Sequence, residues 1–265
     1  MTETLQFTID LARRAGKLLL DYYKLGGSET RLKSDYSVVT EADLAADNLV
    51  TETILETYPQ DLILSEELHP FLPPEHTGVV WVVDPLDGTT NFSLGLPIWG
   101  VSLARVVNGT PHTAVSYFPL IDELYSTQFG SGAYLNGERI RAQEPIKGKT
   151  TSFFACCGNT HKRYNVNVPY KARILGSTTY NLCAIARGVA VLGFEAVPKV
   201  WDLAAAWIMI PEAGGVVETH HGDSPFPLVP GLDYTARAFP TLAAATAAMV
   251  AKGREMIRIK EGQKN

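Results

Sequence analysis

Residues 79–93 read VVWVVDPLDGTTNFS, and no other stretch of the chain limits its fold so tightly. Val79 to Val83 is an apolar, mostly β-branched run, the pattern of a strand buried on both faces. It runs directly into Asp84 and Asp87, with Pro85 and Leu86 between them. Pro85 has a fixed φ and pushes Asp84 into extended backbone, so both carboxylates are carried on a stiff strand end. Gly88 lets the backbone approach a ligand, and Thr89-Thr90-Asn91 can open a short helix whose free N–H groups attract an anion. Two carboxylates beside such a helix start suit divalent cations that bridge a phosphate. The plainer alternative is an Asp-Gly turn closing a strand. An aspartate-nucleophile phosphatase is excluded, because its D-x-D spacing does not match two Asp residues three apart with Pro85 between them.

Composition narrows the function classes. The 265 residues are 46% apolar, enough for a sizeable core in one large domain or two closely packed halves. Net charge is −5, from 23 Lys and Arg against 28 Asp and Glu, and the basic residues are scattered, which argues against a nucleic-acid groove. No apolar run approaches the ~18 residues of a membrane span. The N-terminal MTETLQFTIDLARRAGKLLLDYY is amphipathic and acid-bearing, unlike a signal peptide. Three cysteines, two of them adjacent (Cys156, Cys157), give neither a disulfide framework nor zinc spacing, so the expected compartment is the reducing cytoplasm.

Along the chain, helical spacing predicts a first helix over 3–24, stopped by Gly26-Gly27, and a second over about 40–57. Thr40 and Asp43 form a capping box with Asp in place of Glu; the residues alone leave Asp43 as cap, site acid or both. Leu62-Ile63-Leu64 is a short strand that delivers Ser65, Glu66 and Glu67. A Glu pair is ordinarily solvated surface, yet this one precedes a second acid-tipped strand by some twenty residues. Ile98–Val107 and Thr110–Phe118 then pair through an Asn108-Gly109 turn. Glu123–Phe129, Ala133–Leu135 and Glu138–Ile140 extend the meander through Asn136-Gly137. Residues 141–150 are polar and turn-rich and mark a boundary between an N-terminal half (1–145) and a C-terminal half (146–265).

The second half opens with a strand over Ser152–Cys157. Cys157 to Arg163 matches the C-x5-R spacing of cysteine phosphatases, but its interior lacks small phosphate-cradling residues, and the match reads as coincidence. Ala172–Leu175 is a strand, and Gly176-Ser177-Thr178 opens a helix to about Arg187, with Ser177 as cap or as an anion contact. Val189–Phe194 leads to Glu195. Asp202 stands before the apolar Leu203–Ala213, as N-cap, metal ligand or both, with Pro211 kinking the last turn. Val216–Glu218, Ala236–Phe239 and a helix over Thr241–Lys252 are expected to close the chain.

Together, KSDYSVVTEAD at 33–43, SEE at 65–67, WVVDPLDGTTNF at 81–92 and WDLAAAWIMIPEAGG at 201–215 resemble the signatures of the inositol monophosphatase family, magnesium-dependent and lithium-sensitive phosphomonoesterases. The resemblance implies an α+β fold, a layered α/β/α/β/α sandwich with mixed, largely antiparallel sheets, and a homodimer. It implies one Mg²⁺ held by Glu66, Asp84 and the Leu86 carbonyl, a second by Asp84, Asp87 and Asp202, and a third, weaker one by Glu66 with waters. An oxygen-only donor set favours Mg²⁺ over Zn²⁺, and five carboxylates in one pocket are tolerable only with cations or retained protons. By the same resemblance Glu66, Thr89 and Asp43 act on the attacking water, and Gly88 and Thr89 hold the phosphate. Asp87, Gly176, Ser177, Thr178 and Glu195 match positions that bind the alcohol. The implied reaction is hydrolysis of inositol 1-phosphate by metal-activated water. Fructose 1,6-bisphosphate, histidinol phosphate and adenosine 3′,5′-bisphosphate remain as alternatives, because Thr178, Lys199 and Pro211 depart from the family pattern. A non-catalytic binding or assembly role is the reading from another class.

Overall fold

In the computed structural model, residues 2–24, 30–32, 38–73, 78–145 and 152–261 are described. Helix α1 (Glu3–Lys24) forms over the expected span and buries Leu5, Ile9, Leu11, Ala12, Ala15 and Leu19. The Gly26-Gly27 stop, residues 33–37 of the family-like KSDYS and residues 146–150 of the boundary segment lie outside the described residues. A short antiparallel pair, β1 (Thr30–Leu32) and β2 (Val38–Thr40), follows and has no sequence signal. Helix α2 (Glu41–Thr57) starts on the Thr40–Asp43 capping box.

Strand β3 (Leu62–Ser65) pairs in parallel with β4 (Val80–Asp87), every residue of which is buried. Period-two geometry explains the uniform burial. Val80 and Val82 face one hydrophobic core and Trp81 and Val83 another, so β4 has no solvent side. A single turn of helix, α3 (Thr89–Ser93), caps its end. The antiparallel meander runs through β5 (Gly100–Val107), β6 (Thr110–Phe118), β7 (Glu123–Gln128), β8 (Gly132–Leu135) and β9 (Glu138–Ile140), giving a seven-stranded sheet in the order β3-β4-β5-β6-β7-β8-β9. Both Asn-Gly turns adopt the left-handed backbone that such hairpins need: Asn108 and Gly109 at φ 52° and 78°, Asn136 and Gly137 at 50° and 84°.

The chain continues through β10 (Phe153–Cys156), α4 (Thr160–Arg163), β11 (Tyr164–Val166), β12 (Ala172–Arg173), α5 (Thr178–Ala186), β13 (Ala190–Glu195), α6 (Val200–Glu212) and β14 (Val216–Thr219). It ends with β15 (Thr241–Ala244), α7 (Ala247–Met256) and β16 (Ile257–Ile259). The second sheet has the order β12-β10-β13-β15-β14, with β12, β10 and β13 parallel and the rest antiparallel. Helices α1 and α2 cover one face of the first sheet, α5 and α6 fill the space between the sheets, and α7 packs against the second. These are the five layers of the α/β/α/β/α sandwich.

The C-terminus corrects the sequence reading twice. Residues 236–239 form no strand, and Thr241–Ala244 is a strand, not the start of the last helix. The alanine-rich run has helical propensity, but pairing between β13 and β14 supplies two ladders of hydrogen bonds and decides the conformation. The C-x5-R segment is no phosphate loop. Thr160–Arg163 is helical, and burial, the leading cause, pushes the Cys157 thiol up, away from the reactive thiolate.

Candidate metal centre

The end of β4 is shaped by its proline. Asp84 opposes Ser102 and Asp87 opposes Gly100, so the ladder with β5 slips at Pro85-Leu86 and the strand bulges. The bulge turns Asp84 inward, where it is 1% exposed. Its Oδ1 accepts the Leu86 N–H at 3.1 Å, and its Oδ2 is buried without a hydrogen-bond partner among the described residues. Oxygens of Glu66, Asp84 and Asp202 lie within 4.8 Å of one another. Burial first, then the charges of Glu66, Asp87, Asp202 and Asp43, holds Asp84 well above the usual carboxylate range. Burial and the neighbouring Glu66 and Asp87 do the same to Asp202. A buried orphan oxygen in a cluster of repelling carboxylates is the environment a hard divalent cation relieves, and the donor set fits one.

Glu66 enters from the end of β3, where its N–H bonds the Val83 carbonyl at 3.2 Å and continues the ladder by one residue. Asp202 enters from α6, but not as N-cap. Lys199 holds that position, and Asp202, three residues on, reaches back to the Lys199 N–H at 2.8 Å. Its carboxylate therefore serves the helix start and the cluster together.

Asp43 caps α2 and also reaches Thr89. Oδ2 accepts from Thr40 N (2.8 Å) and Thr40 Oγ1 (2.6 Å), while Oδ1 lies 2.9 Å from Thr89 Oγ1. The Thr89 hydroxyl is 3.0 Å from the Leu86 carbonyl as well, so its single proton serves one acceptor at a time. Gly88 stands at φ 92°, and a Cβ there would sit 2.9 Å from the Ile98 carbonyl, so no other residue fits this bend.

Asp87 is placed differently from its neighbours. Its Oδ2 accepts from Ser177 Oγ and Thr179 N, each at 2.6 Å, and its Oδ1 from Thr178 N at 3.2 Å. The carboxylate thus occupies the N-terminus of α5, the favourable end of that helix for an anion, and lies outside the three-acid cluster. Ser177 is the cap the sequence announces, accepting from Tyr180 N at 3.0 Å. Glu195, at the end of β13, is 1% exposed and accepts from Asn181 Nδ2 (2.7 Å) and Thr178 Oγ1 (3.3 Å). Burial, its largest influence, pushes Glu195 up to about 8.

Asn181 and Asp47 have no sequence signal, and Asn91 has one for the helix start but none for the clamp it forms. Asn91 Nδ2 donates to the Ile98 and Leu175 carbonyls, both at 2.7 Å, and so clamps α3 to the segment that begins α5. Gly176 makes room for it: a Cβ there would lie 2.5 Å from Asn91 Oδ1. Asn181 and Asp47 are mid-helix polar residues of a kind that usually faces water.

The sequence profile described as the inositol monophosphatase family matches residues 1–255. The chain belongs to this family. Among its relatives, the histidinol-phosphatase of Chlorobaculum parvum is 32% identical over 233 residues, 84% of this chain and 88% of that one. The Nus factor SuhB of Escherichia coli K12 is 34% identical over 238 residues, 84% and 87% of the two chains. The solved structure of the Thermotoga maritima inositol monophosphatase superposes with a TM-score of 0.77 at 26% identity, covering 96% of this chain and 97% of that one. The chain is thus a phosphatase-family protein with an acidic cluster suited to a metal.

Proposed function

We propose that this protein is a Mg²⁺-dependent phosphomonoesterase that hydrolyses inositol 1-phosphate to inositol and phosphate. The observation that carries this reading is the convergence of Glu66, Asp84 and Asp202, with the unpartnered Asp84 oxygen, beside the glycine-opened start of α3. Glu66, Asp84 and the Leu86 carbonyl would hold one ion, Asp84, Asp87 and Asp202 a second, and Glu66 with waters a third. When bound, such ions supply positive charge to phosphate oxygens and acidify a water.

The chain's own groups do the rest. Thr89, hydrogen-bonded to Asp43, and Glu66 orient the attacking water, and its proton is relayed through the Thr89 hydroxyl to the Asp43 carboxylate. The Gly88 and Thr89 N–H groups receive the phosphate, and Gly176, Ser177 and Thr178 border the alcohol. Asp87 serves metal or alcohol by releasing one of its α5 hydrogen bonds. Glu195 reaches a hydroxyl through the oxygen that Thr178 now holds. Lithium sensitivity and a homodimer follow from the family reading, and a cytoplasmic setting from three free cysteines.

Histidinol phosphate is the second reading, favoured by the name of the Chlorobaculum relative. The reading from another class is a non-catalytic binding or assembly role. Phosphate release from inositol 1-phosphate, histidinol phosphate, fructose 1,6-bisphosphate and adenosine 3′,5′-bisphosphate, each with Mg²⁺ and with chelator, separates these. Mg²⁺-dependent release, greatest for inositol 1-phosphate and inhibited by millimolar Li⁺ uncompetitively, is expected. No release from any substrate would overturn the catalytic reading.

A further inference from the structure

One buried carboxylate has no part in the chemistry above. Asp47 lies on α2 one turn after Asp43, on the same helix face, and is fully buried. Its Oδ1 is buried without a hydrogen-bond partner among the described residues, so protein donors replace water at Oδ2 alone. Its Oδ2 accepts the backbone N–H groups of Glu67 (3.2 Å) and Leu68 (3.1 Å), the two residues that follow Glu66. The turn they form closes on Ser65, whose N–H bonds the His69 carbonyl at 2.9 Å and whose Oγ accepts the His69 N–H at 3.0 Å.

Glu66 is therefore held from both sides. Its own N–H is fixed to β4 through Val83, and the backbone after it is fixed to α2 through Asp47. The same helix face holds Thr89 through Asp43. A single rigid element sets the distance between the turn that presents Glu66 and the start of α3.

We propose that Asp47 is a positioning residue that aims the Glu66 carboxylate at Asp84 and Asp202, so that the metal affinity of the centre is set from α2. This rests on the metal-centre reading above. A group that orients a ligand in this way changes metal affinity by roughly 10–100-fold when removed.

The test is calorimetric titration of the metal-free full-length protein with Mn²⁺, beside thermal melts that establish folding. Asp47→Ala, leaving both N–H groups without their acceptor, is expected to weaken Mn²⁺ binding at least roughly tenfold and to raise the Mg²⁺ needed for half-maximal activity in parallel. Asp47→Asn keeps an acceptor oxygen and should stay within about threefold of wild type, a rescue that a role of the carboxylate charge would not show. Asp61→Ala is the control. It removes another buried carboxylate, which holds Trp81 Nε1 and Arg105 away from the centre, and should lower the melting temperature without moving metal affinity.

Wild-type affinity in folded Asp47→Ala overturns the inference. Loss in Asp47→Asn equal to that in Asp47→Ala overturns it too, because charge and not the acceptor would then matter. Should Asp47→Ala not fold, Leu68→Pro deletes one donor N–H and leaves α2 intact. Weakened binding there supports the inference, and wild-type binding overturns it. Failure of the wild-type protein to bind any Mn²⁺ would instead overturn the metal-centre reading, and this inference with it.

Discussion

Replacing Asp84 by Asn should abolish turnover while leaving the metal-free protein at least as stable as wild type. Two unit charges 4.8 Å apart, the separation that bounds the Glu66, Asp84 and Asp202 oxygens, repel by about 3.5 kcal/mol at an effective dielectric near 20. The raised pKa of Asp84 means that the pocket already sheds part of this by holding a proton, so the gain from Asn is a fraction of that figure. The loss appears when metal is added. A cation at about 100 times its dissociation constant stabilises the protein it binds by about 2.7 kcal/mol. For a chain of this size that is a rise of about 5 °C in melting temperature. Thermal melts with chelator and with Mg²⁺ read both quantities, and phosphate release reads turnover. The expected pattern is a rise of about 5 °C for wild type, almost none for Asp84→Asn, and a metal-free variant that melts no lower than wild type. A variant that keeps the Mg²⁺-induced rise, or whose metal-free form melts several degrees lower, would remove Asp84 from the centre.

Other outcomes follow from the same geometry. Without metal, burial raises Asp84, Asp87 and Asp202 above 3.8 and Glu195 to about 8. The native state then binds more protons than the unfolded chain, and stability falls as pH rises from about 4 toward 8; a urea midpoint in chelator no lower at pH 8 than at pH 5.5 would refute this. Ser177→Ala removes the α5 cap and an Asp87 hydrogen bond, and should cost about 1–2 kcal/mol in urea denaturation with metal absent. Glu195→Gln should lower kcat/KM for inositol 1-phosphate roughly tenfold or more and barely affect p-nitrophenyl phosphate, whereas Thr178→Ala, which frees a Glu195 oxygen, should raise the former. Equal effects on both substrates would refute a hydroxyl-binding role.

What the sequence discloses and what it hides divide along physical lines. Val79–Val83 and the Asn-Gly turns are legible because burial on both faces and positive φ each demand particular residues close together in the chain. Asp84 is legible because Pro85 makes its strand end stiff. The direction of the Asp87 side chain is not legible, since it depends on the α5 N-terminus ninety residues away. Asp202 reads as an N-cap because Asp is the favoured capping residue, yet the helix starts earlier and Asp202 caps from within. Thr241–Ala244 reads as helix because alanine favours it, and the competing sheet partners are remote in sequence. Asp47, Asn91 and Asn181 resemble surface polar residues until tertiary packing buries them.

The seam between the two sheets has a consequence for descent. The candidate phosphate end is built from α2, β3, β4 and α3, whereas Glu195, Thr178 and Asn181 belong to β13 and α5. At the candidate site Asp202 crosses from one side, and Asp87 and Asn91 from the other; away from it Glu212 ties to Gly130 and Gly132, and Arg187 to Glu123. Substitutions in β13 and α5 that spare these contacts can therefore accumulate in a lineage while the clustered acids are inherited unchanged. On that arrangement a duplicated gene needs no new hydrolytic machinery to acquire a new alcohol. It needs only drift on one side of the seam, within the bounds that Asp87 and Asn91 impose.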